Sequence, residues 1–124
     1  MTPIEKNRIT VAGNPAGPTL LFIHGIGTDQ SAWQPVARLL EGDHRVILMD
    51  NAGAGPGREA ATIDHRYLNL EAYADDVVTA VTHLALRDVV IVGHSIGAMI
   101  GAIAAIRAPT RIAGLVMVSA SPRY

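Results

Sequence analysis

The run Val89-Val90-Ile91-Val92 leads straight into Gly93-His94-Ser95-Ile96-Gly97, which is followed by the alanine-rich stretch 98–106. β-Branched residues favour an extended chain and the alanine-rich stretch favours a helix, so a strand must give way to a helix within a few residues of Ser95. A serine between two glycines at such a corner has the layout of a nucleophile elbow. In that device the serine stands at the tip of a sharp turn and presents its hydroxyl to a cleft. Glycines belong two residues either side, because a side chain there would collide with the element across the turn. The pattern thus predicts a backbone shape first and a chemistry second.

Two other readings compete with the elbow. An ordinary serine in a glycine-bearing turn would need neither the strand before it nor the helix after it. A membrane helix is suggested by the uncharged length of Val89 to Ile106 and by Gly97-x-x-x-Gly101. Against it stand the strand preference of Val-Val-Ile-Val, the interruption at Gly93-His94-Ser95 and the alternation of strand-like and helix-like flanks.

The chain of 124 residues has room for one domain with a real core, and not for two. Ten basic against eleven acidic residues, with no basic run, give nothing to neutralise a nucleic-acid backbone. The absence of cysteine excludes disulfides, thiolate catalysis and cysteine-ligated zinc. No histidine-carboxylate spacing suggests a metal, and no cofactor is indicated: Gly53-x-Gly55-x-Gly57 lacks the dinucleotide spacing. The start Met1 to Asn7 is polar, without the apolar centre of a secretion signal, which makes a cytoplasmic location the expectation.

Strands are expected at 8–12, 19–23, 45–49, 89–92 and 112–118. Ser31 and Gln34 have capping-box spacing, predicting a helix with Pro35 in its first turn and Val36, Leu39 and Leu40 inward. Asn69 is the expected cap of a longer helix. There Leu68 and Tyr73 would form a hydrophobic staple, and Leu70, Tyr73, Ala74, Val77, Val78, Val81 and Leu84 an apolar face. Four apolar strands separated by helices imply a mostly parallel sheet with helices on both faces and a site at the carboxyl ends of the strands. His24, Asp50 and Ser95 fall at those ends.

The set His24-Gly25-Ile26-Gly27, Asp50-Asn51-Ala52-Gly53-Ala54-Gly55 and Gly93-His94-Ser95-Ile96-Gly97 resembles the first half of the α/β-hydrolase superfamily. The segments 27–33, 66–73 and 119–124 are similar to its RsbQ branch, which contains bacterial regulators of the stress sigma factor and plant strigolactone and karrikin receptors. The resemblance implies that Ser95 is the nucleophile and that the backbone N–H groups of Ile26 and Ile96 form the oxyanion hole. Donors fixed on a developing oxyanion are each worth about a hundred- to a thousand-fold in rate. Gly93 and Gly97 would be the elbow glycines, with His24, Gly25 and His94 in support. Phe22 and Trp33 are read as core, with pocket lining as the alternative.

A serine hydroxyl needs a histidine to take its proton and a carboxylate to orient that histidine, and in this superfamily both follow the serine. After Ser95 the chain has no aspartate, glutamate or histidine. Asp50 is expected to anchor its own glycine loop; Asp75 and Asp76 are expected in solvent, and His44, His65 and His83 in turns or on a helix surface. Residues 1–124 thus read as a single partial α/β-hydrolase domain, lacking the lid and last strands, from a fragment, a truncated reading frame or a split protein. Three functions follow. The first is an esterase- or lactonase-type serine hydrolase that is catalytically incomplete by itself. The second is an RsbQ-like protein that perceives a small ligand and binds a regulatory partner, and the third a half that pairs with a complementary C-terminal half.

Overall fold

A computed structural model describes residues 2–54 and 69–120. Among these residues five strands form one sheet in the order β1-β3-β2-β4-β5: β1 Thr10–Gly13, β2 Thr19–Ile23, β3 Arg45–Met49, β4 Val89–His94 and β5 Ile112–Val118. β1 runs antiparallel to β3 and every other pair is parallel. The expected mostly parallel sheet is therefore present, with an antiparallel strand at one edge. The first strand begins at Thr10 rather than Arg8, whose side chain is used elsewhere.

Alternation along β2 explains the two layers. Leu21 and Ile23 face one way, with Ile47, Met49 and Ile91, and pack under α3 (Leu70–His83) and α4 (Ile96–Arg107). Leu20 and Phe22 face the other way, with Val46, Val92, Ala37 and Trp33. Leu21, Phe22, Ile23 and Ile47 are at most 1% exposed, and burying each such side chain is worth about 1.5–3 kcal/mol. Trp33 stacks on Phe22 with ring centroids 5.0 Å apart and donates its indole N–H to the Ile23 carbonyl at 3.1 Å. Both aromatics therefore belong to the core.

α3 follows its sequence signal. Asn69 caps it by accepting from the Ala72 N–H, and Ala74, Val77 and Val81 are buried. Leu68 of the expected staple lies outside the described residues, as do Gly55, Gly57, His65 and Ser121 to Tyr124.

Other local expectations need correction. The helix expected at Ser31 is preceded by a 3-10 turn, Gln30–Trp33, whose cap is Asp29: its carboxylate accepts from the Ser31 N–H at 2.8 Å. α2 then spans Gln34–Leu40, but Ala37 is its buried residue, while Val36 is 40% and Leu39 85% exposed. The 3-10 turn has three residues per turn instead of 3.6, which rotates the face that α2 presents. The polar start also contains a one-turn helix, α1 Pro3–Lys6, closed by a reciprocal capping box between Thr2 and Glu5.

Asp76 is not in solvent. Its side chain is 12% exposed and pairs with Lys6 at 3.0 Å, while Asn7 donates to it at 3.3 Å. Asp75 is 66% exposed and pairs with Arg107, which ties α3 to α4. No helix among the described residues is long and apolar enough to cross a membrane.

Candidate active site

β4 and α4 meet at Ser95, the single residue between them, whose backbone adopts φ 57 and ψ −122. A non-glycine residue there is strained by about 1–3 kcal/mol and persists only where its surroundings enforce it. Two glycines and one hydrogen bond do so here. A Cβ on Gly93 would lie 2.5 Å from the Gly97 carbonyl oxygen and 2.6 Å from the Ala98 backbone. One on Gly97 would lie 2.6 and 2.7 Å from the carbonyl oxygens of Ile23 and His24. The Ser95 N–H donates to the Val118 carbonyl at 2.9 Å, which ties the corner to the end of β5. The Ser95 hydroxyl makes no capping bond to α4.

The carboxyl ends of β2, β3 and β4 frame a cavity of about 670 Å³ lined by residues 24–29 and 51–54 together with Tyr73, Ile96 and Ile100. Ile26 and Ile96, the two expected oxyanion residues, both line it. Ile26 is 75% exposed at its rim. Ser95 is half-buried and adjoins the wall through Ile96 rather than lining it. α4 points its N-terminal end, with its partial positive charge, at this region.

His24 is 2% exposed, and both ring nitrogens are engaged. Nδ1 lies 2.8 Å from the Gly25 carbonyl oxygen and Nε2 2.9 Å from the Asn51 amide nitrogen. The histidine thus supports loop backbone and joins two loops. His94, the last residue of β4, is half-buried with Nδ1 2.9 Å from where a Gly25 Cβ would stand, so Gly25 is required for the ring to pack. His44 bonds the Leu40 carbonyl, and His83 is exposed in the last turn of α3.

The Asp50 carboxylate, 2% exposed, accepts from Arg8 at 2.9 Å and from the Gln30 N–H at 2.9 Å, so it fastens segments distant in the chain. Residues 55–57 of its own glycine loop lie outside the described residues. The peptide groups of Asp50 bond Asn7, by N–H to carbonyl at 2.7 Å and by Asn7 Nδ2 to the Asp50 carbonyl at 3.0 Å. Asp29, on the cavity wall, has its carboxyl held below the ordinary 3.8 by hydrogen bonds from the Ser31 side chain and backbone.

Asn51 and Thr28 carry no role of their own in the sequence, and Tyr73 is placed there only in a hydrophobic staple and on an apolar helix face. Their signal was position: Asn51 follows β3 and Thr28 follows β2 at the carboxyl ends where such sheets place their sites.

A family model described as "alpha/beta hydrolase fold" matches residues 18–124. A probable esterase of Oryza sativa subsp. japonica is 41% identical over 97% of this chain and 44% of its own length. A karrikin insensitive 2 receptor of Petunia hybrida is 39% identical over 97% of this chain and 44% of its own. Among solved structures, a hydrolase from Oleispira antarctica superimposes with a TM-score of 0.89 at 34% identity, covering 97% of this chain and 44% of that one. The chain therefore spans somewhat under half the length of these relatives.

Proposed function

We propose, since this chain belongs to the α/β-hydrolase family, that Ser95 is the nucleophile of an esterase- or lactonase-type acyl transfer. Its Oγ attacks the carbonyl carbon of a small ester or lactone, and the carbonyl oxygen takes up negative charge between the N–H groups of Ile26 and Ile96. Collapse breaks the bond to the alkoxy oxygen, which takes up a proton in exchange for the one that the serine hydroxyl gives up and leaves as an alcohol or as the hydroxyl of the opened ring, and an acyl-serine remains for water to cleave. The observation that carries this reading is the left-handed backbone of Ser95 between two glycines that backbone contacts require. A strained serine at such a corner has a cost that presenting a nucleophile explains.

Within residues 1–124 no histidine or carboxylate side chain follows Ser95, so a base in the position that this superfamily uses is not among these residues. His24 does not replace it, since both its nitrogens are bonded to backbone. In a well-studied serine protease, loss of the histidine removes about a million-fold in turnover, while the oxyanion hole and binding retain about a thousand-fold or more over water. Incubation with an activated ester, followed by intact-mass measurement, should show slow stoichiometric acylation at Ser95, absent in Ser95→Ala, with no sustained turnover. No adduct at Ser95 refutes the nucleophile; sustained Ser95-dependent turnover refutes the incompleteness.

The similarity to a karrikin receptor favours a second reading, in which the same cavity perceives a small ligand and a regulatory partner reads the result. Ligand-dependent association with such a partner that survives Ser95→Ala would favour perception over hydrolysis.

A further inference from the structure

We propose that Asn51 is a positioning residue that, through His24, holds the loop of Ile26 in register with the first turn of α4. The inference rests on the function proposed for Ile26 and Ile96, but its geometry is independent of Ser95 chemistry. Asn51 makes two bonds to one residue. Its backbone N–H donates to His24 Nε2 at 2.9 Å, and its Nδ2 donates to the His24 carbonyl oxygen at 3.3 Å. An amide N–H can only donate, so Nε2 carries no proton. Nδ1 carries it and donates to the Gly25 carbonyl at 2.8 Å. The Thr28 hydroxyl donates to that same Gly25 oxygen at 2.9 Å, closing the loop that bears Ile26 between two fixed points.

The His24 carbonyl is the joint of the arrangement. On one side Asn51 bonds it; on the other Gly97 packs so closely that a Cβ there would come within 2.7 Å. One carbonyl group therefore locates the end of β2 against both the 51–54 loop and α4. Both loops and Ile96 line the same cavity, so displacement of Asn51 changes the spacing of the two N–H groups proposed to share an oxyanion. A misplacement of about 1 Å between such groups can cost about a hundred-fold in rate.

Nuclear magnetic resonance on the chain tests this without any substrate. In the unsubstituted protein the His24 ring should be the neutral tautomer protonated at Nδ1, and Ile26 and Gly27 should show order parameters near the rigid value of about 0.85. Asn51→Ala and His24→Leu should lower those order parameters toward about 0.6, and His24→Leu should speed Asn51 amide exchange at least about ten-fold. His24→Gln, whose amide oxygen can accept where Nε2 does, should restore both values. A proton on Nε2 in the unsubstituted protein, or a rigid 25–28 loop in both Asn51→Ala and His24→Leu, overturns the proposal. Should the variants not fold, the tautomer alone decides. An intact clamp with no acylation of Ser95 refutes the hydrolase reading and leaves the clamp standing, and the reverse result does the opposite.

Discussion

Gly97→Ala places a methyl group where the structure has two backbone carbonyls, 2.6 Å from Ile23 O and 2.7 Å from His24 O. Carbon-to-carbonyl-oxygen contacts relax at about 3.3 Å or more, so α4 and the end of β2 must separate by about 0.7 Å. Neither can yield by rotating a side chain. Overpacking of this kind costs about 1–3 kcal/mol, and a backbone-to-backbone clash belongs at the upper end. The better helix propensity of alanine returns about 1 kcal/mol, leaving a net loss of about 2 kcal/mol. For a domain of this size that lowers Tm by about 6–12 °C. Gly101→Ala in the same helix is the control. Its methyl would meet Ile91 Cγ2, a branch methyl on Cβ, at 2.8 Å and Leu115 Cδ1, the end of a side chain that can turn, at 2.9 Å, so the clash is with side chains rather than backbone and the net loss should be smaller, about 1 kcal/mol. Urea denaturation of the two variants beside the unsubstituted chain reads the difference. Equal midpoints for Gly97→Ala and Gly101→Ala would refute the claim that the identity of the contacted atom, not the glycine itself, sets the cost.

Ser95→Gly should stabilise the chain by about 1 kcal/mol relative to Ser95→Ala, because glycine relieves the positive φ that alanine keeps; equal urea midpoints would show that the corner stores no strain. Asp29→Ala should cost about 1 kcal/mol at neutral pH through loss of the cap on the 3-10 turn. Because the folded-state pKa of Asp29 lies below its ordinary 3.8, its contribution is present above that value and is lost as pH falls through the lowered one. Stability curves of the parent and Asp29→Ala should therefore converge in acid, and a constant gap down to the lowest pH would contradict the assignment.

The strands, α3 with its Asn69 cap, and the corner at Ser95 were legible because each is set within a few adjacent residues. Runs of β-branched residues, a cap and a glycine spacing act locally, and the structure repeats them with small shifts of boundary. The capping box of α1, with Thr2 and Glu5 three apart and proline at the first helical position, is equally local. The resemblance to α/β hydrolases was legible for a related reason: its motifs lie at strand ends, where backbone geometry leaves little choice of residue.

What the polar side chains that reach across the chain do was a tertiary decision. Arg8 reaches Asp50 across 42 positions, Lys6 reaches Asp76 across 70, and Asn51 reaches His24 across 27. No periodicity encodes such pairs, because they form only after the sheet order β1-β3-β2-β4-β5 has brought distant strand ends side by side. By itself the sequence determined that a serine would crown a strained turn. The fold decided which buried group would hold the loops beside that turn, since a buried polar atom must be satisfied by whatever partner the packing delivers.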